Sequence, residues 1–274
     1  MITPSKDAPP PDLRIVAIDH IHPHEEHDPQ RAMPLIERLH EAEYLTNPPI
    51  VAPMGDKGHY VVMDGANRTY CFKELGYQHL LVQVAPYDSG YVDLGIWQHI
   101  VSDWSEAEFH AMLYQVPGVT INRGWDYTSV AQILMHDGAV LSVHGSNETL
   151  TERNRTLSKV ADVYRHEATV NRTAVTDPTI IWRLYPEAIA LVLFPPYKAE
   201  DIIAAAQQQA FLPPGVSRHI IQGRALRLNY PLEALRDTHI TLEQKNEQLQ
   251  TWIRKKLAMR SVRYYAESTY QFDE

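Results

Sequence analysis

Tyr60-Val61-Val62-Met63-Asp64-Gly65-Ala66-Asn67-Arg68-Thr69-Tyr70-Cys71-Phe72-Lys73-Glu74-Leu75-Gly76-Tyr77 decides the fold. Tyr60 to Met63 is a short β-branched and apolar run, the pattern of a buried strand. Asp64-Gly65 breaks it, and Gly65 permits a backbone angle or a close approach that a side chain forbids. From Ala66 the spacing turns helical, with Phe72 and Leu75 three apart and Cys71 and Leu75 four apart. Gly76 stands where a helix-terminating glycine belongs. A strand, a tight turn and a helix start together present backbone N–H groups at a positive dipole end. Arg68 adds a forked cation that suits phosphate oxygens, so the stretch reads as a phosphate cradle. Asp64 has a structural role open to it as well, capping the next helix through its side-chain oxygen.

Upstream, residues 1 to 12 read as a flexible, proline-rich leader, Leu13 to Ile18 as a first strand, and His20 to His27 as a polar, histidine-rich loop holding Glu25 and Glu26. Asp28-Pro29 is a fair helix start, but Pro34 would cost about 3 kcal/mol inside a helix. The helix is therefore expected to begin nearer Pro34, with Leu35, Leu39 and Ala42 on one face. Ile50 to Ala52 and Leu80 to Val84 are further short strands. This alternation defines a compact α/β unit over residues 13–87, with residues 88–274 forming a closely packed α+β second part.

In that second part, Asp137-Gly138 between Val130–Leu134 and Ala139–Val143 is a strong hairpin signal. Ser105-x-x-Glu108 and Thr241-x-x-Gln244 are capping boxes. Leu157 to Tyr164 and Ala199 to Gln209 read as helices, Ala188 to Phe194 as a buried strand. Pro213-Pro214-Gly215 turns the chain into Ser217–Ile221, and a partner strand is expected at Ala225–Asn229. Leu249, Ile253 and Leu257 mark a last helix, after which Ser261 to Tyr270 looks strand-like.

The 274 residues are 44% hydrophobic and 22% charged, ordinary values for a globular protein able to bury a core. A net charge of −9 argues against a broad nucleic-acid surface yet allows a small basic nucleotide pocket. Cys71 is the only cysteine, which excludes an intrachain disulfide and a thiolate zinc site. No apolar run approaches the length of a membrane span, and the N-terminus lacks a signal-peptide pattern, so a cytoplasmic location is expected.

Asp64-Gly65-x-Asn67-Arg68, followed by a short helix and Leu75-Gly76, resembles the signature of the ParB/sulfiredoxin superfamily. So does the upstream run Ile21-His22-Pro23-His24-Glu25-Glu26, a helix, then Pro48-Pro49-Ile50-Val51. Within it the chain resembles the free L-serine kinases, also through Trp97-Gln98-His99 and through Leu212-Pro213-Pro214-Gly215-Val216-Ser217-Arg218 running on to Gly223-Arg224. The resemblance implies a ParB/sulfiredoxin-like N-terminal nucleotide-binding domain, ATP or ADP as phosphate donor, magnesium, and free L-serine as acceptor. It implies nucleotide contacts at Gly65, Ala66, Asn67, Arg68 and Thr69. The base for the serine hydroxyl is then Glu25, with Glu26 as the register-shifted alternative. Asp64 becomes a magnesium ligand or helper of the base. His24, Trp97 and His99 line the serine side, and Arg218 or Arg224 meets the serine carboxylate.

Two departures stand out. The superfamily often carries histidine or another bulky residue where this chain has Asn67. Sulfiredoxins place their reactive cysteine in the turn where this chain has Ala66, and Cys71 on the following helix cannot replace it. The rival from another class is a ParB-like DNA-binding regulator or a ligand sensor without catalysis. A regulator needs a helix-turn-helix and a basic face, and neither is found in residues 88–274.

Overall fold

The structure, a computed structural model, describes residues 8–27, 29–55, 57–145 and 149–265. In chain order its elements are β1 (Asp12–Ala17), β2 (Ile21–His22), α1 (Pro29–Glu41), β3 (Tyr44–Leu45), β4 (Ile50–Pro53), β5 (Tyr60–Asp64), α2 (Ala66–Glu74) and β6 (His79–Val84). There follow β7 (Val92–Ile96), β8 (Gln98–Ser102), α3 (Glu106–Leu113), β9 (Thr120–Arg123), β10 (Ala131–Met135), β11 (Val140–His144), α4 (Leu150–Arg165), β12 (Thr169–Thr173) and α5 (Pro178–Leu184). The chain ends through β13 (Ala188–Leu193), α6 (Ala199–Gln208), β14 (Ser217–Ile221), β15 (Tyr230–Pro231), α7 (Leu232–Arg236) and α8 (Leu242–Ala258).

Two compact units divide these elements. The first holds residues 1–22, 27–93 and 221–274; the second holds 23–26 and 94–220. This differs from the expected two-part division at residue 87. The C-terminal segment belongs with the first unit because α8 supplies its core. Leu249 is fully buried in one cluster with Ile15, Phe72 and Leu80. Asn246 is bonded to both backbone groups of Ile15, accepting from its N–H at 2.9 Å and donating to its carbonyl at 2.8 Å.

The first unit is built on a five-stranded mixed sheet in the order β1-β6-β4-β5-β2. β5 is buried over Tyr60–Met63 and β6 over Leu80–Val84, as their apolar runs require. α1 starts at Pro29 and runs through Pro34, which corrects the later start expected. Pro34 lies on the exposed face, opposite the buried Ala32 and Leu39. α2 ends as expected. The Gly76 N–H bonds to the Lys73 carbonyl and the Tyr77 N–H to Phe72, with Gly76 at φ +75°.

The second unit carries a six-stranded antiparallel sheet in the order β12-β8-β13-β10-β11-β9. The Asp137-Gly138 hairpin joins β10 to β11. α4 buries Leu157, Val160, Ala161 and Tyr164. On Ile100, Ala188 and Leu191 packs Ile181 of α5.

Two strand expectations fail. Ala225–Asn229 is irregular because Arg227 and Asn229 adopt left-handed angles, φ +51° and +52°. Its N–H groups go instead to Gln83, Asn47 and the Thr46 carbonyl. Residues 261–265 are not a strand, and 266–270 lie outside the described residues, as do 1–7 of the expected leader. Among the described residues no helix is long and apolar enough to cross a membrane.

If α8 is integral to the first unit, Leu249→Ala will lower its unfolding free energy by about 2–5 kcal/mol, the cost of a core cavity. Urea denaturation measures this, and a loss below about 0.5 kcal/mol, the size of a neutral surface change, would detach α8 from that core.

Candidate active site

In the first unit, the turn between β5 and α2 is built around Gly65, at φ +91°. A Cβ there would lie 3.0 Å from the Arg68 guanidinium and 3.2 Å from the Pro49 backbone, so the angle demands glycine and the space is tight. The intrahelical ladder of α2 opens with the Thr69 N–H on the Gly65 carbonyl, at 2.9 Å. The Thr69 hydroxyl donates to that carbonyl at 3.1 Å. Arg68 folds back over the turn, donating to the Asn47 carbonyl at 3.0 Å and pairing with Asp64 at 3.5 Å.

Asp64 does not cap α2; the N-cap is Gly65, without a side-chain bond. Its carboxylate is taken by Arg224 as well as Arg68. Gln83, buried on β6, brings Arg224 there, donating to the Gly223 carbonyl and accepting from the Ala225 N–H. Two guanidinium groups around one carboxylate, at a helix start flanked by Ala66 and Asn67, leave a net positive site of the kind that binds phosphate. Arg224, expected at a substrate carboxylate, is thereby committed to Asp64. The donor set does not fit a resident magnesium ion. Asp64 is already paired twice, and the described residues contain no group of three or more metal-ligating side chains.

In the second unit, Glu25 sits in a short backbone bridge to Leu212, where Leu212 N–H bonds to the His24 carbonyl and Glu26 N–H to the Leu212 carbonyl. That pairing lays the Glu25 carboxylate into the Pro213–Ser217 turn. Oε2 accepts from the Gly215 N–H at 2.9 Å. Oε1 accepts from the Ser217 N–H at 2.8 Å and the Ser217 hydroxyl at 2.6 Å. The buried His24 ring lies 2.7 Å from that hydroxyl through Nε2, which donates because the serine proton is used on Glu25. Burial alone would raise the Glu25 pKa; the donors from His24, Ser217 and Gly215 outweigh it and hold it at about 2.

Glu26 has a different environment, an ion pair with Arg165 at 3.1 Å on a partly exposed surface. The structure therefore separates the two glutamates that spacing left open. Arg218 lays its guanidinium over the Trp97 ring, 4.4 Å from its centroid. His99 does not wall a pocket. It is 4% exposed, with Nδ1 2.9 Å from the Tyr164 hydroxyl and Nε2 3.3 Å from the Gly215 carbonyl. Burial pushes its pKa down to about 4.

Sequence reasoning gave no site role to Ser217, Gly215, Tyr164 or Asn47, although Gly215 and Ser217 stand in a stretch that carries the resemblance. A serine two residues past a Pro-Pro-Gly turn is a local hint of a hydroxyl at a tight bend. Tyr164 and Asn47 give none, because their partners lie far away in the chain.

No protein-family model matches the chain. The chain is 26% identical over 266 residues to the ATP-dependent L-serine kinase SbnI of Staphylococcus aureus, covering 96% of this chain and 97% of that protein. An ATP-dependent L-serine kinase of Staphylothermus marinus is 32% identical over 83 residues, 30% of this chain and 33% of that one. Among solved structures, a free serine kinase in complex with AMP superposes with a TM-score of 0.73 at 14% identity, covering 84% of this chain and 96% of that one. C-terminally truncated SbnI gives 0.68 at 24% identity, over 91% and 97%. The fold is that of these kinases, and the resemblance read from Asp64–Arg68 extends over nearly the whole chain.

The lowered Glu25 pKa has a stability consequence whose sign is fixed. Above about pH 4.5 the carboxylate is ionised both folded and unfolded, and its contribution is fully present. As pH falls from there toward about 2, the unfolded chain takes the proton first and stability is lost. Glu25→Gln puts an NH2 where an acceptor is needed, so it will cost about 1–3 kcal/mol near neutrality. Urea denaturation against pH will show the gap from wild type constant above pH 4.5 and closing below it. A gap independent of pH down to 2 would mean that Glu25 is not held as an anion.

Proposed function

We propose that this chain is a kinase that phosphorylates the hydroxyl of free L-serine, giving O-phospho-L-serine, with ATP or ADP as donor. The observation that carries the reading is the Glu25 carboxylate, held ionised by Gly215 and Ser217 at the position where the resemblance puts the base. The likeness in sequence and fold to the named serine kinases supports the substrate.

In this reading the turn at Gly65 takes the phosphates of the donor, through the first-turn groups Ala66, Asn67 and Thr69 and the Arg68 guanidinium. Asp64 orients Arg68 and Arg224 for the oxygens of the transferred group. Magnesium arrives with the nucleotide, since it prefers phosphate oxygens and waters to protein cages. Arg218, backed by Trp97, is the arginine left for the serine carboxylate once Arg224 is paired with Asp64. His24 holds Ser217 and borders the serine.

The chemistry asked of Glu25 suits its low pKa. Oε2 accepts one N–H in the structure and has a second lone-pair direction with which to accept the serine O–H. The serine oxygen attacks the terminal phosphorus, the bond to the leaving nucleotide oxygen breaks, and the hydroxyl proton passes to Glu25 and on to water. In a loose transition state little charge builds on the attacking oxygen until late. A carboxylate near pKa 2 therefore works mainly by orienting the hydroxyl and receives the proton at the end.

Incubation with serine, magnesium and each nucleotide, followed by mass spectrometry, tests the activity; no phosphoserine with either ATP or ADP would overturn it. Glu25→Gln will lower turnover by about 10²–10⁴, the range for a positioned acid–base group. Glu26→Gln, which loses only a partly exposed ion pair, will stay near wild type. The reverse ranking would move the base by one residue. Arg68→Ala will weaken nucleotide binding by roughly 1.5–3 kcal/mol, the worth of a charge-assisted bond, and unchanged affinity by calorimetry would remove the turn from nucleotide binding.

A further inference from the structure

Three residues in the second unit form a continuous line of hydrogen bonds that ends on Glu25. The Gly215 carbonyl can only accept, so the nitrogen 3.3 Å away, Nε2 of His99, carries the hydrogen. A neutral imidazole then has an acceptor at Nδ1, and the Tyr164 hydroxyl 2.9 Å away donates to it. Gly215 in turn gives its N–H to Glu25 Oε2. Both polar groups of Gly215 are thus pinned, one to the carboxylate and one to His99.

The pin matters because Gly215 is at φ +73°, a freedom that glycine alone has, and an unpinned glycine turn has many other states open to it. The Arg172 guanidinium occupies the place a Cβ of residue 215 would take, which closes one side of the turn. His99 and Tyr164 are themselves closely packed. Both are almost fully buried, edge-on to one another, with Phe194 against His99 and Phe109 against Tyr164.

We propose that Tyr164 and His99 are positioning residues, a relay that fixes the orientation of the His99 ring, the peptide groups of Gly215 and through them the Glu25 carboxylate. The inference rests on the reading of Glu25 as the group that orients the serine hydroxyl. Removing the tyrosine hydroxyl leaves the buried Nδ1 lone pair without its donor, so the ring is no longer held in the orientation that gives Nε2–H to the Gly215 carbonyl. The turn then relaxes and the carboxylate loses its aim, while serine and nucleotide still find their own contacts.

Tyr164→Phe will lower kcat about tenfold, the rate equivalent of one buried hydrogen bond, with KM for serine and affinity for nucleotide within about twofold. His99→Leu will lose more, and His99→Gln, whose amide NH2 can reach the Gly215 carbonyl, will recover most of it. A purely structural role predicts no such rescue and no split between kcat and KM. Long-range proton–nitrogen NMR provides a readout apart from activity. The ring signal missing in His99→Gln will be the Nε2–H form in wild type, and its Nδ1 resonance will shift in Tyr164→Phe, where that nitrogen has lost its donor. A wild-type Nδ1–H form, or a Tyr164→Phe enzyme with wild-type kcat beside a slow Glu25→Gln, would overturn the relay. If instead Glu25→Gln keeps full turnover, the base reading has failed, and the relay's catalytic role falls with it.

Discussion

A carboxylate withdrawn from water has to be surrounded by donors, and the second unit is arranged around that need at Glu25. Desolvating an anion costs far more than one hydrogen bond returns. The chain answers with two backbone N–H groups and a hydroxyl on one carboxylate. The geometry reaches outward from there. Gly215 must turn with a positive φ to present its N–H, and Ser217 must follow two residues later. Segment 23–26 must lie against Leu212 to bring the glutamate in. His99 of β8 and Tyr164 of α4 hold the far side of the same turn.

The first unit shows a related economy with opposite charge. Asp64 is one carboxylate between two arginines, and each arginine is brought to it by a different piece of chain. Arg68 comes from the helix it opens; Arg224 comes from a segment held by Gln83 of β6. The carboxylate keeps two cations together that would otherwise repel, and leaves their sum positive. An excess cation of this kind at a helix start is a physical basis for phosphate binding in a chain whose overall charge is −9.

What was legible in the sequence was local. Gly65, Gly76 and Gly138 announced their turns because the backbone angle they adopt is closed to most other residues. Tyr60–Met63 and Ala188–Phe194 announced buried strands by apolar content, and Thr241 with Gln244 a helix start. The motifs at Asp64–Arg68 and His24–Glu25 pointed to the residues around which the two polar clusters form. Hidden were the long-range pairings. Nothing near Arg224 says that it ends on Asp64, nor near His99 that it is tied to Tyr164 rather than facing a ligand. Gln98–Ser102, mixed in polarity, did not read as a strand although every residue of it is buried. Pro34 misled in the other direction, because an interior proline weakens a helix without having to end it, and α1 runs through it.

The division of the chain has a consequence for how the protein is made. The first unit contains both early and late residues, and its core includes Leu249, whereas the second unit is complete once residue 220 has been synthesised. On the ribosome the first sheet therefore waits for its last helix after the second unit's last residue has been added. At about 5–20 residues per second, the 38 residues from 221 to the end of α8 take roughly 2–8 s to add. During that interval β1 lacks α8, the helix that packs against it, and the core cluster of the first unit lacks Leu249. The short segment 23–26 faces the reverse delay. Made well before Leu212, it must stay available until Leu212 has emerged.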